Sequence, residues 1–371
     1  MSIATVFFLR LLQLTSAMML IVAQLAAAQQ TVLEHFSLAD NSPFKTFDPF
    51  LFCVHHRDEY PAGTDRMGPS PELLRGRTIT NDFSRREGWS MYHGQVVPGF
   101  PAHPHRGFET ITITLNGTVD HSDSLRCTAR YGGGDVQWLT AGRGVQHAEM
   151  FPLLFLSQGN PLELLQIWIN LPRRDKMCEP NFTMLWDETL PRYTAPGATV
   201  RVIAGNLYSV VAPAAPRCSW AARAASDVAV WLLQLLPHAA VRLPYAVLPT
   251  TVRALYVLRG GPLKINGETL SARRGGRVDS HVELRVQASE ERTDVLVLQG
   301  VPIGEPVVQR GPFVMSTDWE VSEAFREFRE TGFGGWPWRH GDQTHPRETS
   351  RHATCGTAFA DRPIPERRAE L

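Results

Sequence analysis

Cysteine is scarce in this chain of 371 residues, and what there is does not suggest cross-linking. Cys53, Cys127, Cys178, Cys218 and Cys355 are odd in number, far apart and without a C-x-x-C pair, so they read as isolated thiols rather than a disulfide framework. An excess of one charge is also lacking, because 37 Lys and Arg balance 37 Asp and Glu. Nothing in that balance calls for an anionic membrane, and no direct nucleic-acid binding is expected. Only one long apolar run is present, from Leu11 to Ala28.

That run carries no charge, follows Arg10 and ends in Ala26-Ala27-Ala28-Gln29. Residues 1–28 therefore read as a secretory signal peptide. The same stretch is barely long enough for an uncleaved anchor, and an arginine with few acids also suits a mitochondrial address. Membrane contact is expected only through residues 11–28, if they are retained. Asn116-Gly-Thr118 and Asn181-Phe-Thr183 are sequons that become glycan acceptors only on the secretory route. Without such a leader the chain would belong to the cytoplasm or nucleus.

The remainder is 43% hydrophobic and long enough for two ordinary domains. Two short motifs stand out. Phe100-Pro-Ala-His103-Pro-His105-Arg-Gly-Phe-Glu109 is followed about forty residues later by Thr140-Ala-Gly-Arg-Gly-Val-Gln-His147-Ala-Glu149. In an extended strand, residues two apart share a face, so His103 with His105, and His147 with Glu149, can aim into one cavity. Three imidazoles and a carboxylate suit a borderline divalent transition metal, and iron, zinc and nickel all fit such a set.

The sequence between the motifs is strand-like. Glu109-Thr-Ile-Thr-Ile-Thr-Leu115 alternates threonine with Ile111, Ile113 and Leu115, and Asn116-Gly117 predicts a two-residue type I′ hairpin returning along Thr118-Val-Asp-His121. Tyr131-Gly-Gly-Gly-Asp135 supplies the next turn before Val136-Gln-Trp-Leu139. A helical H-E-x-x-H site is excluded by this pattern. Leu164 to Leu171 alternates again and stops at Pro172.

Upstream, a strand is expected near Phe50 to Val54, then surface loops holding His55, His56 and the Trp89-Ser-Met-Tyr-His93 run. These histidines read as loop or supporting residues rather than ligands. Arg173 to Pro216 looks like the crossing between two domains. The second half repeats short β-like runs, at Val228 to Leu233, Val252 to Leu258, Leu263 to Ile265 and Asp294 to Leu298, but offers Thr250, Thr251 and Arg253 where the first half has histidines. No metal site is expected there. Thr317-Asp-Trp-Glu320 is a capping box opening a helix with Val321, Ala324, Phe325 and Phe328 on one face and Gly332 as its stop. Phe333-Gly-Gly-Trp-Pro-Trp338 reads as a packed arm, and residues 341–371 as a polar, mobile tail.

The runs His103-Pro-His105-Arg-Gly-Phe-Glu109-Thr, Gly134-Asp-Val-Gln-Trp-Leu-Thr-Ala-Gly142, His147-Ala-Glu149-Met, Leu164 to Pro172 with Lys176-Met177, and Glu305 to Met315 before a helix resemble the pirin family of the cupin superfamily. The resemblance covers about residues 47 to 338. It implies an all-β bicupin: two antiparallel jelly-roll barrels, a metal-bearing one over residues 40–190 and an empty one over 200–304, with a helix and arm over 305–340 packing back on the first. It also implies one Fe(II) held by His103, His105, His147 and Glu149. The family's iron has been linked to ring opening of the flavonol quercetin, and some eukaryotic members act as nuclear transcriptional co-regulators. An aromatic small-molecule substrate and a protein partner are thus the two expected kinds of ligand.

The leader, a longer segment before His103 and the Gly334-Gly-Trp-Pro-Trp ending depart from the compact family pattern, as in a longer pirin-like subgroup. On the enzyme reading, Glu149 is the base that accepts a substrate proton. Gln137 and Glu109 are candidates to orient the ligand imidazoles, although Glu109 could instead pair with an arginine at its strand start. The alternative reading is a non-enzymatic metal- or redox-sensing regulator.

Overall fold

The structure is a computed structural model that describes residues 30–39, 41–356 and 359–361. The expected leader lies outside the described residues. No helix among the described residues is long and apolar enough to cross a membrane.

Strand β1 (Val32–Ser37) is followed by the strands of a first barrel: β2 (Phe50–Tyr60), β3 (Gly99–His105), β4 (Phe108–Asn116), β5 (Thr118–Asp123), β6 (Cys127–Gly132), β7 (Val136–Thr140), β8 (Val145–Met150), β9 (Asn160–Asn170) and β10 (Asn181–Leu185). They form two sheets. One has the order β10-β7-β4-β9-β2, and the other contains β6-β5-β8-β3, with β3 at its edge. The edge position explains why β3 tolerates Pro101 and Pro104, whose missing amides would break a central strand.

The Asn116-Gly117 hairpin does not form. β4 pairs with β7 and β9, whereas β5 pairs with β6 and β8, so Gly117, at φ 84°, turns the chain from one sheet into the other. The left-handed glycine is needed for the corner as it would be for a hairpin. The Gly132 to Asp135 turn makes the reverse crossing, from β6 to β7.

A second barrel follows with β11 (Arg192–Ala195), β12 (Ala198–Ala204), β13 (Ala229–Leu235), β14 (Ala240–Leu243), β15 (Val252–Arg259), β16 (Leu263–Ile265), β17 (Glu268–Leu270), β18 (Arg274–Val278), β19 (Leu284–Ala288) and β20 (Thr293–Gly300). Its sheets run β1-β18-β15-β20-β13-β12-β11 and β14-β19-β16-β17. The N-terminal β1 thus completes the second barrel, not the first. Aliphatic side chains such as Val200, Leu233, Leu255 and Val286 fill its interior. Arg253, buried at the end of that core, donates its Nε to Gln299 Oε1 at 2.6 Å.

The alternation of β4 decides how the barrels meet. Ile111 and Ile113, with Trp138, Leu165, Ile167 and Ile169, pack against Val230, Leu232, Tyr256 and Leu296 of the second barrel in one shared core. Thr110, Thr112 and Thr114 take the other face, into the first barrel.

After a short hairpin, β21 (Val308–Arg310) with β22 (Phe313–Met315), helix α1 spans Asp318–Thr331. Its cap is close to the expected box: Thr317 Oγ1 accepts from the Glu320 amide at 3.2 Å, but the Glu320 carboxylate accepts from the Ser316 amide at 3.0 Å, one residue upstream. Gly332 ends the helix at φ 55°. Phe325 and Phe328 face the Phe313 ring, and Arg106 of the first barrel bonds Glu327 at 2.8 Å while lying 4.2 Å over the Phe333 ring. The helix therefore does pack back on the first barrel, and the Phe333 arm is packed as expected.

Two expectations fail together at the C-terminus. The stretch from Gly341 to Gly356 is packed on the first barrel, and Cys127 and Cys355 are not isolated. β23 (His352–Cys355) adds to β6 as an outer strand, with Cys355 the register partner of Cys127, and the two form a disulfide. Arg130 holds the approach: it pairs with Asp120 at 2.7 Å and donates to the carbonyls of His345, Pro346, Arg347 and Thr349. Arg351 then bridges Asp135 and Glu188. A polar segment is fixed here by buried charge pairing and a covalent bond, neither of which composition reveals. Cys53, Cys178 and Cys218 remain thiols.

Candidate metal centre and cavity

β3 and β8 are adjacent and antiparallel, and His103 is the register partner of His147. His105, two residues along β3, shares that face. A nitrogen from each of the three imidazoles lies within 4.8 Å of the others. The outer nitrogens of two rings are held by carbonyls, His103 Nδ1 by Pro101 O at 2.9 Å and His105 Nδ1 by Pro312 O at 3.3 Å. A carbonyl only accepts, so each Nδ1 carries the hydrogen and each Nε2 keeps its lone pair.

Burial lowers all three imidazoles, His103 to about 4 and His105 and His147 well below the usual range, and nearby imidazoles add to this: His93 and His121 for His103, His103 for His105, and His103, His105 and His121 for His147. They are neutral. His147 is fully buried, and neither of its ring nitrogens has a hydrogen-bond partner. A buried polar atom without a partner is costly, and three neutral imidazoles with nitrogens this close match the needs of a divalent transition metal. The residues therefore fit the metal that the fold family implies.

Glu149 stands beside this cluster rather than inside it. Its carboxylate accepts from Thr112 Oγ1 at 2.9 Å, Gln166 Nε2 at 3.2 Å and Tyr131 OH at 3.4 Å, and lies 4.0 Å from His147 Nε2. Burial holds its carboxyl above the usual range, against the opposing pull of His121 and these donors.

The two proposed orienting residues do something else. Gln137 contacts His121 Nδ1 at 3.2 Å, and no ligand imidazole. Glu109 points into the barrel interface, where it accepts from Thr140 Oγ1 at 2.6 Å; it pairs with no arginine. Its second oxygen has no bonded partner, with Ser219 and Trp138 beside it, and burial raises its carboxyl to about 7. Strand parity explains the difference, because position 109 shares the face of Ile111.

His121 is a residue that motif reading passes over. It sits opposite Glu149 on β5, fully buried, bonded to Asp123 at 3.1 Å and with its ring 5.7 Å from His147. Its only sequence signal is the alternation that puts it in phase with Asp123. His56 is a second. β2 runs on to Tyr60, well past the expected end at Val54, so His55 and His56 lie on a strand. His55 pairs with Glu163 at 2.9 Å, and His56 faces the cavity.

That cavity, about 680 Å³, opens beside the histidines and is walled by Phe52, Phe100, Phe151, Leu164 and Trp168. The segment before β3 contributes Thr80, His93 and Gln95, and the β21 to β22 turn contributes Gly311 and Pro312. Lys176 fixes that turn to the barrel, donating to Gly107 O, Asn170 Oδ1 and Val314 O at 2.9, 2.6 and 3.1 Å.

Two stacked β-barrels, the first with a histidine cluster beside an aromatic cavity, define a double-barrelled cupin suited to one metal. The chain matches the Pirin family model over residues 74–169 and the pirin C-terminal cupin domain over 232–334. It belongs to the pirin family. A Pseudomonas aeruginosa protein provisionally named a quercetin 2,3-dioxygenase is 38% identical over 240 residues, covering 63% of this chain and 79% of that one. Human pirin is 32% identical over 249 residues, covering 66% and 80%. Among solved structures, a quercetin 2,3-dioxygenase from Acinetobacter baumannii superposes with a TM-score of 0.65 at 27% identity, over 83% of this chain and 99% of that one.

Proposed function

We propose that this protein is an iron-dependent dioxygenase of the quercetin 2,3-dioxygenase kind, acting on a flavonol-like aromatic substrate in the first-barrel cavity. The observation that carries the reading is the juxtaposition of three neutral, converging imidazoles with an aromatic-walled cavity of about 680 Å³, within the range of small-molecule sites of roughly 300 to 1,000 Å³. The names of the Pseudomonas and Acinetobacter relatives support it. His103, His105 and His147, with Glu149 as a fourth ligand, would hold Fe(II). When bound, such an ion supplies open positions at which a substrate oxygen and dioxygen are brought together.

The chain's own residues supply the rest. Trp168, Phe52 and Phe100 offer flat apolar walls to an aromatic ring system and exclude water. Glu149 accepts the proton of the substrate hydroxyl, and Thr112 and Gln166 fix its orientation.

The test is consumption of quercetin by iron-loaded protein under oxygen, with oxygen uptake measured alongside. Wild type is expected to remove flavonol with matching oxygen uptake, and His103→Ala and Glu149→Ala are expected to be inactive. If wild type is no faster than the variants, the enzyme reading is wrong and the metal-sensing alternative gains.

A further inference from the structure

The cavity has a second polar point, on the sheet opposite β3. His56 of β2 lines it, and the ring's hydrogen bond is made through Nδ1, to Tyr92 OH at 2.9 Å. Tyr92 comes from the Trp89-Ser-Met-Tyr-His93 run, in the segment that departs from the compact family pattern. It is buried, held at φ 56° by reciprocal 2.8 Å backbone bonds with Asp82, and its ring stacks on Phe100. A non-glycine residue at positive φ is uncommon and persists only where the surroundings determine it.

Counting donors fixes the state of His56. Asn41 Oδ1 accepts from the Arg57 amide at 3.1 Å, so it is Asn41 Nδ2 that donates to Tyr92 OH at 3.0 Å. Tyr92 donates its one hydroxyl hydrogen to Asp58 Oδ2 at 2.7 Å, and Asp58 Oδ1 accepts from the Ser90 amide at 3.0 Å. The phenol oxygen has two lone pairs, one taken by Asn41. The other is left for His56, so His56 Nδ1 carries the hydrogen and Nε2 keeps a free lone pair.

We propose that His56 is a metal-independent recognition point of the cavity, whose Nε2 accepts a hydrogen bond from a second phenolic hydroxyl of an aromatic ligand, with Tyr92 as its positioning residue. This rests on the reading of the cavity as a flavonol-type site and narrows it to polyhydroxylated ligands. Burial keeps the His56 imidazole neutral, lowering it to about 3, with His55 and Arg85 acting in the same direction. The Asp58 carboxyl is raised by burial to about 7, between Arg85 and Asp82, so it is an acceptor at pH 8.

The experiment compares anaerobic binding of quercetin and of 3-hydroxyflavone, which lacks the additional phenolic hydroxyls, to iron-loaded protein at pH 8, read by tryptophan fluorescence. Wild type is expected to prefer quercetin by about tenfold, the scale of one buried hydrogen bond. His56→Phe, which leaves Tyr92 bonded to Asn41 and Asp58, and Tyr92→Phe, which keeps the ring packing, are expected to lose that preference. Both should keep their iron and their 3-hydroxyflavone affinity within about twofold. A preference that survives both substitutions, or is absent from wild type, overturns the proposal. If neither flavonol binds wild type, the flavonol reading fails, and phenol against anisole with the same variants decides His56 by itself: no wild-type preference for phenol overturns its role.

Discussion

His103 and His147 face each other as register partners on β3 and β8, with ring centroids 4.4 Å apart. Directly opposed side chains on antiparallel strands lean to one face, so the pair needs no helix or turn to form. Of the two orphaned nitrogens of His147, a cation is the missing partner of the one that keeps a lone pair. Adding ferrous ion anaerobically at about 100 times its dissociation constant should therefore stabilise the wild type by about 3 kcal/mol. His147→Ala and His103→Ala should show no such rise in melting temperature. Metal analysis of purified protein should fall from about one ion per chain to below a tenth of that in both variants.

Thr112 reaches Glu149 from the inward face of β4. Thr112→Val keeps the shape and removes the hydroxyl, leaving Gln166 and Tyr131 to hold the carboxylate. Loss of a supporting contact at a metal site costs roughly 10 to 100-fold in activity or affinity. Flavonol turnover should fall within that range while metal content is kept, because the three imidazoles are untouched. Equal loss of metal and turnover would mean that Thr112 acts by holding Glu149 as a metal ligand rather than as a base.

The site was legible because a period of two is local. His103 shares a face with His105, and His147 with Glu149, by parity alone, and the threonine and isoleucine faces of β4 separate the cavity from the barrel interface. Partners set by closure of the barrel were not legible. Asn116-Gly117 satisfies the local chemistry of a hairpin equally well when it turns a corner between sheets. Glu109 has the composition of a supporting carboxylate and the wrong parity. His56 and His121 are single histidines whose roles depend on Tyr92 and Glu149, which are distant in sequence. β1 joins the second barrel and β23 the first across most of the chain's length, and no pattern within either segment reports this.

Glu109 makes a pH dependence predictable. Its carboxyl is fully buried and raised from 4.5 to about 7, chiefly by desolvation. Between these values the folded protein binds more protons than the unfolded chain, so stability falls as pH rises from about 4.5 to 7. The shift corresponds to about 3 kcal/mol at pH 8. Glu109→Gln removes the charge and should raise the melting temperature at pH 8, with the gain vanishing near pH 4. Iron content should not change, because Glu109 touches no ligand. A variant that is equally stabilised at both pH values would mean that packing, not ionisation, is responsible.

The Cys127 to Cys355 bond closes a span of 228 residues and keeps β23 on the barrel. Removing a native disulfide costs about 2 to 5 kcal/mol. Cys355→Ser should lower the melting temperature accordingly, and trypsin should then cut within residues 341–356. Arg130 should still slow that cleavage, since it holds four carbonyls of the segment. Combining Cys355→Ser with Arg130→Met should make cleavage faster than either change alone.

The same disulfide bears on where the protein is made. Stable disulfides belong to oxidising compartments, and both sequon asparagines, Asn116 and Asn181, are exposed. Together with the apolar stretch from Leu11 to Ala28, they support a proposal that the chain enters the secretory route. Expressed in a eukaryotic host with its own N-terminus, the protein should lose the mass of one or two glycans on endoglycosidase treatment, and Asn116→Gln with Asn181→Gln should abolish the shift. Its N-terminus should begin near Gln29 on sequencing. An unshifted chain that retains residues 1–28 would place it outside that route and leave the disulfide as an intracellular bond.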